Sequence, residues 1–230
     1  MNRVLIAGDW HLGTYSAPGQ ARLALAFLRA AREAGDRVIL NGDIFEGLFE
    51  PAARAERAHP ELSELIADLS QAGTLQRVEG NHDPGSGHAR LVLEHPAAGR
   101  VLVTHGHQVD PVHDSRVGNF GDGISRRFGH LMLVRGAARV AETFVAGTMA
   151  SRVDRMYRSR CLAMVDKAGC SLGVFGHNHR RHLVAGDAYA NAGALRRGRL
   201  EHLVLDQSGA ALRDFGVSSA ASDAARAAAE

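Results

Sequence analysis

The chain has 230 residues, enough for one domain with a substantial core and an insert. Apolar residues make up 45% and charged residues 23%, which excludes a disordered, collagenous or coiled-coil chain. A net charge of +2 creates no global field for nucleic acid or membrane, and the basic residues are nearly all arginine, Lys167 being the only lysine.

The elements alternate between short apolar runs and longer helical stretches. Val4-Leu5-Ile6-Ala7 reads as a buried strand. Residues 18 to 34 read as a helix, with Pro18 in its first turn and Gly35 as its C-terminal cap. Val38-Ile39-Leu40 is a second strand, and residues 52 to 72 a helix broken near Pro60. Further strands fall at Leu75 to Val78, Val101-Leu102-Val103 and Leu172 to Phe175, with later ones at Leu183-Val184, Tyr189-Ala190 and Leu203 to Leu205. This alternation predicts an α/β sheet buried on both faces, with a second sheet or an antiparallel edge near the C-terminus. An interruption from about 113 to 168 requires structure of its own and is read as a helical cap insert into a domain spanning 1–217. Residues 218–230, small and alanine-rich, read as a flexible tail.

Cys161 and Cys170 are too few for a disulfide framework and read as buried thiols in a reducing cytoplasm. The N-terminal segment lacks the long apolar core of a signal peptide. The most hydrophobic long stretch, residues 131 to 150, contains Arg135, Arg139 and Glu142 and does not suit a membrane span. The expected location is cytoplasmic, with peripheral contact to the inner membrane through the insert.

Each expected strand ends in metal-capable residues: Asp9-Trp10-His11, Gly42-Asp43, Gly80-Asn81-His82-Asp83, His105-Gly106-His107 and Gly176-His177-Asn178-His179. The C-terminal ends of strands in an open α/β sheet are where ligands bind. Asp9-x-His11 and His177-x-His179 place paired side chains on one side of an extended segment. Carboxylates with imidazoles suit divalent manganese, iron, zinc or nickel. With Asp43 shared, seven such ligands fill two four-ligand sets. Two such ions polarise phosphoryl oxygens and activate water, so the chemistry expected is hydrolysis of a phosphodiester or pyrophosphate by a metal-bound hydroxide.

These five blocks, in this order, resemble the calcineurin-like metallophosphoesterase family. The resemblance implies a four-layer α/β/β/α sandwich holding two divalent ions, manganese first and magnesium also suitable. Asp9, His11, Asp43 and His179 would hold one ion; Asp43, Asn81, His105 and His177 would hold the other. His82 would act on the substrate phosphate as a stabiliser or general acid, with Asp83 orienting its imidazole. Within the family, Gly42-Asp43-Ile44-Phe45-Glu46, Gly176-His177-Asn178-His179-Arg180, the Asn191-Ala192-Gly193 turn and the insert resemble the bacterial UDP-2,3-diacylglucosamine pyrophosphohydrolase group, which acts in lipid A synthesis. His82 and His107 depart from it, since its best-known members carry arginine and aspartate there.

Glu46 reads as a carboxylate behind the site or at a helix start, and Trp10 as a packing residue. His107 either touches substrate or supports His105. From 113 to 168 there are ten basic residues against five acidic ones, and Arg152, Arg155 and Arg158 roughly share a helical face. They read either as a solvated face or as a clamp on phosphate groups. The expected partner is a phosphate-containing small molecule or a nucleotide-linked lipid. A general phosphodiesterase, nuclease or monoesterase is the alternative, although the confined basic excess and 5% aromatic content argue against nucleic acid. A metal-free binding scaffold is the remote one.

Overall fold

The computed structural model describes residues 3–110, 150–196 and 198–216. Strand β1 (Val4–Ala7) is buried along its whole length because both of its faces are covered. Leu5 and Ala7 face a helical layer, while Val4 and Ile6 face a second sheet. The chain returns through α1 (Pro18–Ala34), with proline at its start and Gly35 in the left-handed region at its end. Ala24, Phe27, Leu28 and Ala31 form its buried stripe.

Strand β2 (Arg37–Asn41) runs parallel to β1. The broken helix expected at 52 to 72 is two helices, α2 (Ala52–Arg57) and α3 (Pro60–Gln71), with Pro60 opening the second. Leu62, Leu65, Ile66 and Leu69 of α3 pack beside α1. Strand β3 (Leu75–Val78) continues the parallel order.

Strands β4 (Leu91–His95) and β5 (Gly99–Val103) form an antiparallel pair that begins the second sheet. A one-turn helix at His107–Val109 follows. Helix α4 (Ala150–Lys167) leads into β6 (Leu172–Phe175), which pairs in parallel with β5 and with β7 (Tyr189–Asn191). The chain then rejoins the first sheet through β8 (Leu195–Arg196), β9 (Arg199–Asp206) and β10 (Gly209–Gly216). The first sheet runs β10-β9-β1-β2-β3, with β8 on β9, and the second β4-β5-β6-β7.

Three apolar clusters cement four layers. Val4, Ile6, Ile39 and Val78 meet Val101, Val103, Leu172 and Val174 between the sheets. The helical face of the first sheet packs on α1 and α3. Leu102, Phe175 and Tyr189 of the second sheet receive Tyr157, Cys161 and Val165 of α4. The fold is therefore the expected α/β/β/α sandwich. The 150–167 part of the anticipated insert lies in its outer helical layer. The rest of that insert up to 149, and the tail at 218–230, lie outside the described residues.

Three strands escape the apolar-run criterion, β4, β10 and the two-residue β8. In β4, residues alternate between partly buried and exposed, and β10 contains no fully buried residue. Both are sheet edges, with one covered face at most. The strand expected at Leu183-Val184 is absent: Val184 is 55% exposed, and only a lone bridge between His182 and Asn191 forms nearby. Cys161 and Cys170 are free thiols. Among the described residues no helix is long and apolar enough to cross a membrane.

His202 of β9 is buried, its ring 5.0 Å from that of Phe27. Burial lowers its pKa to about 4. The unfolded chain therefore takes up a proton near pH 6.5 that the folded chain refuses. Stability from the neutral ring is complete above pH 6.5 and is lost as pH falls toward 4. In denaturant unfolding at pH 7.5 and pH 5, H202L should lose about 2 kcal/mol less than the native chain over that interval.

Candidate metal centre

The parallel strands of both sheets end at one edge, where their loops are locked together by backbone bonds. The N–H groups of Trp10 and His11 both donate to the Asp43 carbonyl at 2.9 Å, and Gly176 N–H donates to the His105 carbonyl at 3.0 Å. Among the described residues, the non-glycine positions with positive φ are Asp9, His11, Asp43, His177 and His179. All five are expected ligands. A left-handed backbone at residues with a Cβ is costly and persists where surrounding contacts impose it. Gly42 and Gly80 leave the room that the convergence needs. A Cβ at Gly42 would lie 2.5 Å from His105 Nδ1, and one at Gly80 would collide with the Asp43 carboxylate.

Asp43 is buried and central. Its Oδ2 lies 3.1 Å from His105 Nε2, 3.8 Å from His11 Nε2 and 3.9 Å from His82 Nε2. Asp9, also buried, lies 3.2 Å from His179 Nε2. The Nε2 atoms of His11 and His179 approach each other to 3.0 Å. Asn81 Oδ1 lies 3.2 Å from His177 Nδ1. Three overlapping groups result: Asp9, His11 and His179; His11, Asp43 and His82; Asp43, His105 and His177. The structure thus brings together all seven expected ligands.

The donor set fits divalent cations. His105 Nδ1 donates to the Asn41 carbonyl at 2.9 Å, which turns Nε2 toward Asp43. That Nε2 is buried 3.1 Å from the Asp43 carboxylate, where a divalent cation could take both as ligands. Burial opposes ionisation of Asp43, yet the neighbouring His105 and His82 hold its carboxyl well below the ordinary range. His179 does the same for Asp9. Burial and the His82 charge push His11 down to about 4, so its ring is a neutral donor.

His82 sits at the rim of this set, but the carboxylate that orients it is Glu46 rather than Asp83. Its Nδ1 donates to Glu46 Oε1 at 2.8 Å. Glu46 is held in turn by the N–H groups of Leu48 and Phe49. Burial disfavours the imidazolium, but Asp43 and Glu46 outweigh it and raise His82 to about 9. Asp83 instead accepts the N–H groups of Asp43, Ile44 and Gly80 and clamps the two loops. Adjacency in sequence suggested Asp83, whereas Glu46, three residues beyond Asp43, reaches the ring across the loops.

His107 is half-buried, its ring 5.5 Å from His105 and 6.4 Å from His177. Trp10 is buried and packs edge-on against Phe27, as expected. Asn191 donates to the Gly176 carbonyl at 2.7 Å and to Asn178 Oδ1 at 2.8 Å, bracing the loop of His177 and His179. The three arginines read as a solvated face or a phosphate clamp lie on α4. Arg155 is exposed, Arg158 pairs with Asp187 and lies over the Tyr189 ring, and the Arg152 side chain lies outside the described residues. A cleft of about 220 Å³ opens beside Asp9, His11 and His179, bounded by Tyr15, Phe49 and Arg196.

The calcineurin-like phosphoesterase profile matches residues 2–181. No curated protein matches the sequence. Among solved structures, a dimetal phosphatase from Danio rerio is similar at 11% identity, covering 94% of this chain and 96% of that one, with a TM-score of 0.50. A conserved protein from Streptococcus pneumoniae TIGR4, described as a predicted phosphoesterase, is similar at 16% identity over 94% and 89% of the two chains, TM-score 0.47. Vps29 from Entamoeba histolytica, complexed with zinc, is similar at 15% identity over 93% and 98%, TM-score 0.44. At such identities the likeness concerns the fold alone, whereas the profile match spans most of the chain. The chain belongs to the calcineurin-like phosphoesterase family.

Proposed function

We propose that the chain hydrolyses a phosphodiester or pyrophosphate bond at a centre of two divalent ions. Asp9, His11, Asp43 and His179 would hold one ion, and Asp43, Asn81, His105 and His177 the other. The observation that carries this reading is the chain of three ligand groups joined through His11 and the buried Asp43. Carboxylates, imidazoles and an amide suit Mn2+, which we propose as the working metal. When bound, the ions supply charge neutralisation at the phosphoryl oxygens and a water that ionises near neutral pH.

The protein's own groups do the rest. His82 presents Nε2 toward the site while Glu46 holds Nδ1. A protonated imidazole there stabilises charge on the phosphate and delivers a proton to the leaving oxygen. Ions at Asp43 would compensate that carboxylate, leaving Glu46 to keep His82 charged. Asp83 and Asn191 contribute rigidity, which limits the reorganisation needed during the reaction.

The specific substrate class we propose is a nucleotide-linked diphosphate of the UDP-2,3-diacylglucosamine kind. The support is the motif resemblance around Asp43 and His177 and the insert's position after His105. Cytoplasmic location with membrane contact through the insert belongs to the same proposal.

D43N should abolish hydrolysis and lower bound metal, since both ligand sets lose a member; metal analysis of the purified variant checks it. H82A should retain its metal while kcat falls by about a hundred- to ten-thousand-fold, with E46Q between H82A and the native enzyme. Metal loss in H82A would overturn the role given to that residue. For the substrate, UDP-2,3-diacylglucosamine should be turned over faster than p-nitrophenyl phosphate, bis-p-nitrophenyl phosphate and a cyclic nucleotide. Preference for the simple monoester would overturn the diphosphate reading.

A further inference from the structure

We infer that Asp110 is a positioning residue for one of the two ions, holding the His177 imidazole with Nδ1 turned into the ligand set. His177 Nε2 donates to Asp110 Oδ2 at 2.7 Å, while Nδ1 lies 3.2 Å from Asn81 Oδ1. The carboxylate thus takes the proton on the far nitrogen and leaves a lone pair on the near one. Two lone-pair atoms, Nδ1 and the amide oxygen, then face each other at a separation that a shared cation would satisfy. His105 shows the same design with a different partner: the Asn41 carbonyl holds Nδ1, and Nε2 points at Asp43.

Asp110 reaches His177 through a built support. Gly106 turns the chain with φ of 96°, and a Cβ there would strike the Tyr157 hydroxyl. The one-turn helix His107–Val109 follows, closed by Val109 N–H to the Gly106 carbonyl and Asp110 N–H to the His107 carbonyl, both at 3.2 Å. Val109 packs into the cluster beneath α4, and Arg160 donates to its carbonyl at 3.4 Å. The loop after β5 therefore supplies one ligand directly, His105, and fixes the orientation of a second, His177, in the loop that follows β6. A carboxylate behind a ligand imidazole fixes the tautomer and raises its basicity, and losing it typically costs 10- to 100-fold in metal affinity.

The inference rests on the two-ion reading and can be separated from it. Calorimetric titration of the full chain with Mn2+ alone should show two binding events in the native protein. D110A should weaken one event by 10- to 100-fold and leave the other within about twofold. D110N, which keeps an acceptor without the charge, should fall between. The thermal midpoint of the metal-free chain should be the same in all three. Two events of native affinity in D110A would overturn the role of Asp110, as would equal loss at both sites with a lowered metal-free midpoint. A single Mn2+ per native chain would overturn the two-ion reading, and Asp110 would then be judged by whether D110A weakens that ion.

Discussion

Asp9 and Asp43 are carboxylates buried at the meeting edge of two sheets, and the design of that edge follows from their need for positive charge. Removing an ionised carboxylate from water is tolerable only with close compensation. Here it comes from the imidazoles of four loops, those of His11, His82, His105 and the His177–His179 pair, and from N–H groups at fixed positions. His177 N–H donates to both oxygens of Asp9, and His82 N–H to Asp43 Oδ1. Five residues accept left-handed backbone so that these groups can converge. Among the described residues, the left-handed backbone at non-glycine positions is concentrated in this one place.

The two sheets hold that arrangement because each strand divides its residues between layers. Leu5 and Ala7 alternate with Val4 and Ile6, and Val101 and Val103 with Leu102, so loops from both sheets leave at the same height. The ligands sit just beyond the last buried residues, where a shift of register would move them to the wrong face. Small changes deep in the sandwich would therefore reach the ligand geometry through the strand ends.

The buried strands and the first helix were legible in the sequence as apolar runs and helical spacing, and the Asp, Asn and His clusters at the strand ends stood out as local signals, while the choice of seven candidate ligands among them followed from the family resemblance. Edge strands β4 and β10 were not legible, since one-sided burial leaves a mixed pattern. Leu183-Val184 looked like a strand from its apolar pair, but Leu183 leans half-buried on the cluster between the sheets while the exposed Val184 opens a turn. The carboxylate partners were the hardest to assign. Asp83 adjoins His82 in the chain yet turns back to the loop amides, and Glu46 and Asp110 reach their imidazoles across 36 and 67 positions. Such pairings depend on how loops cross in space.

The surroundings of Gly176 and His177 have a mechanical implication. On one side Asp110 grips the His177 ring; on the other the Tyr157 hydroxyl of α4 donates to the Gly176 carbonyl at 3.3 Å. Asp110 and α4 lie on either side of residues 111–149, so both of these flanks are fastened to neighbouring points on one loop. Movement of either flank would reach the loop that carries His177.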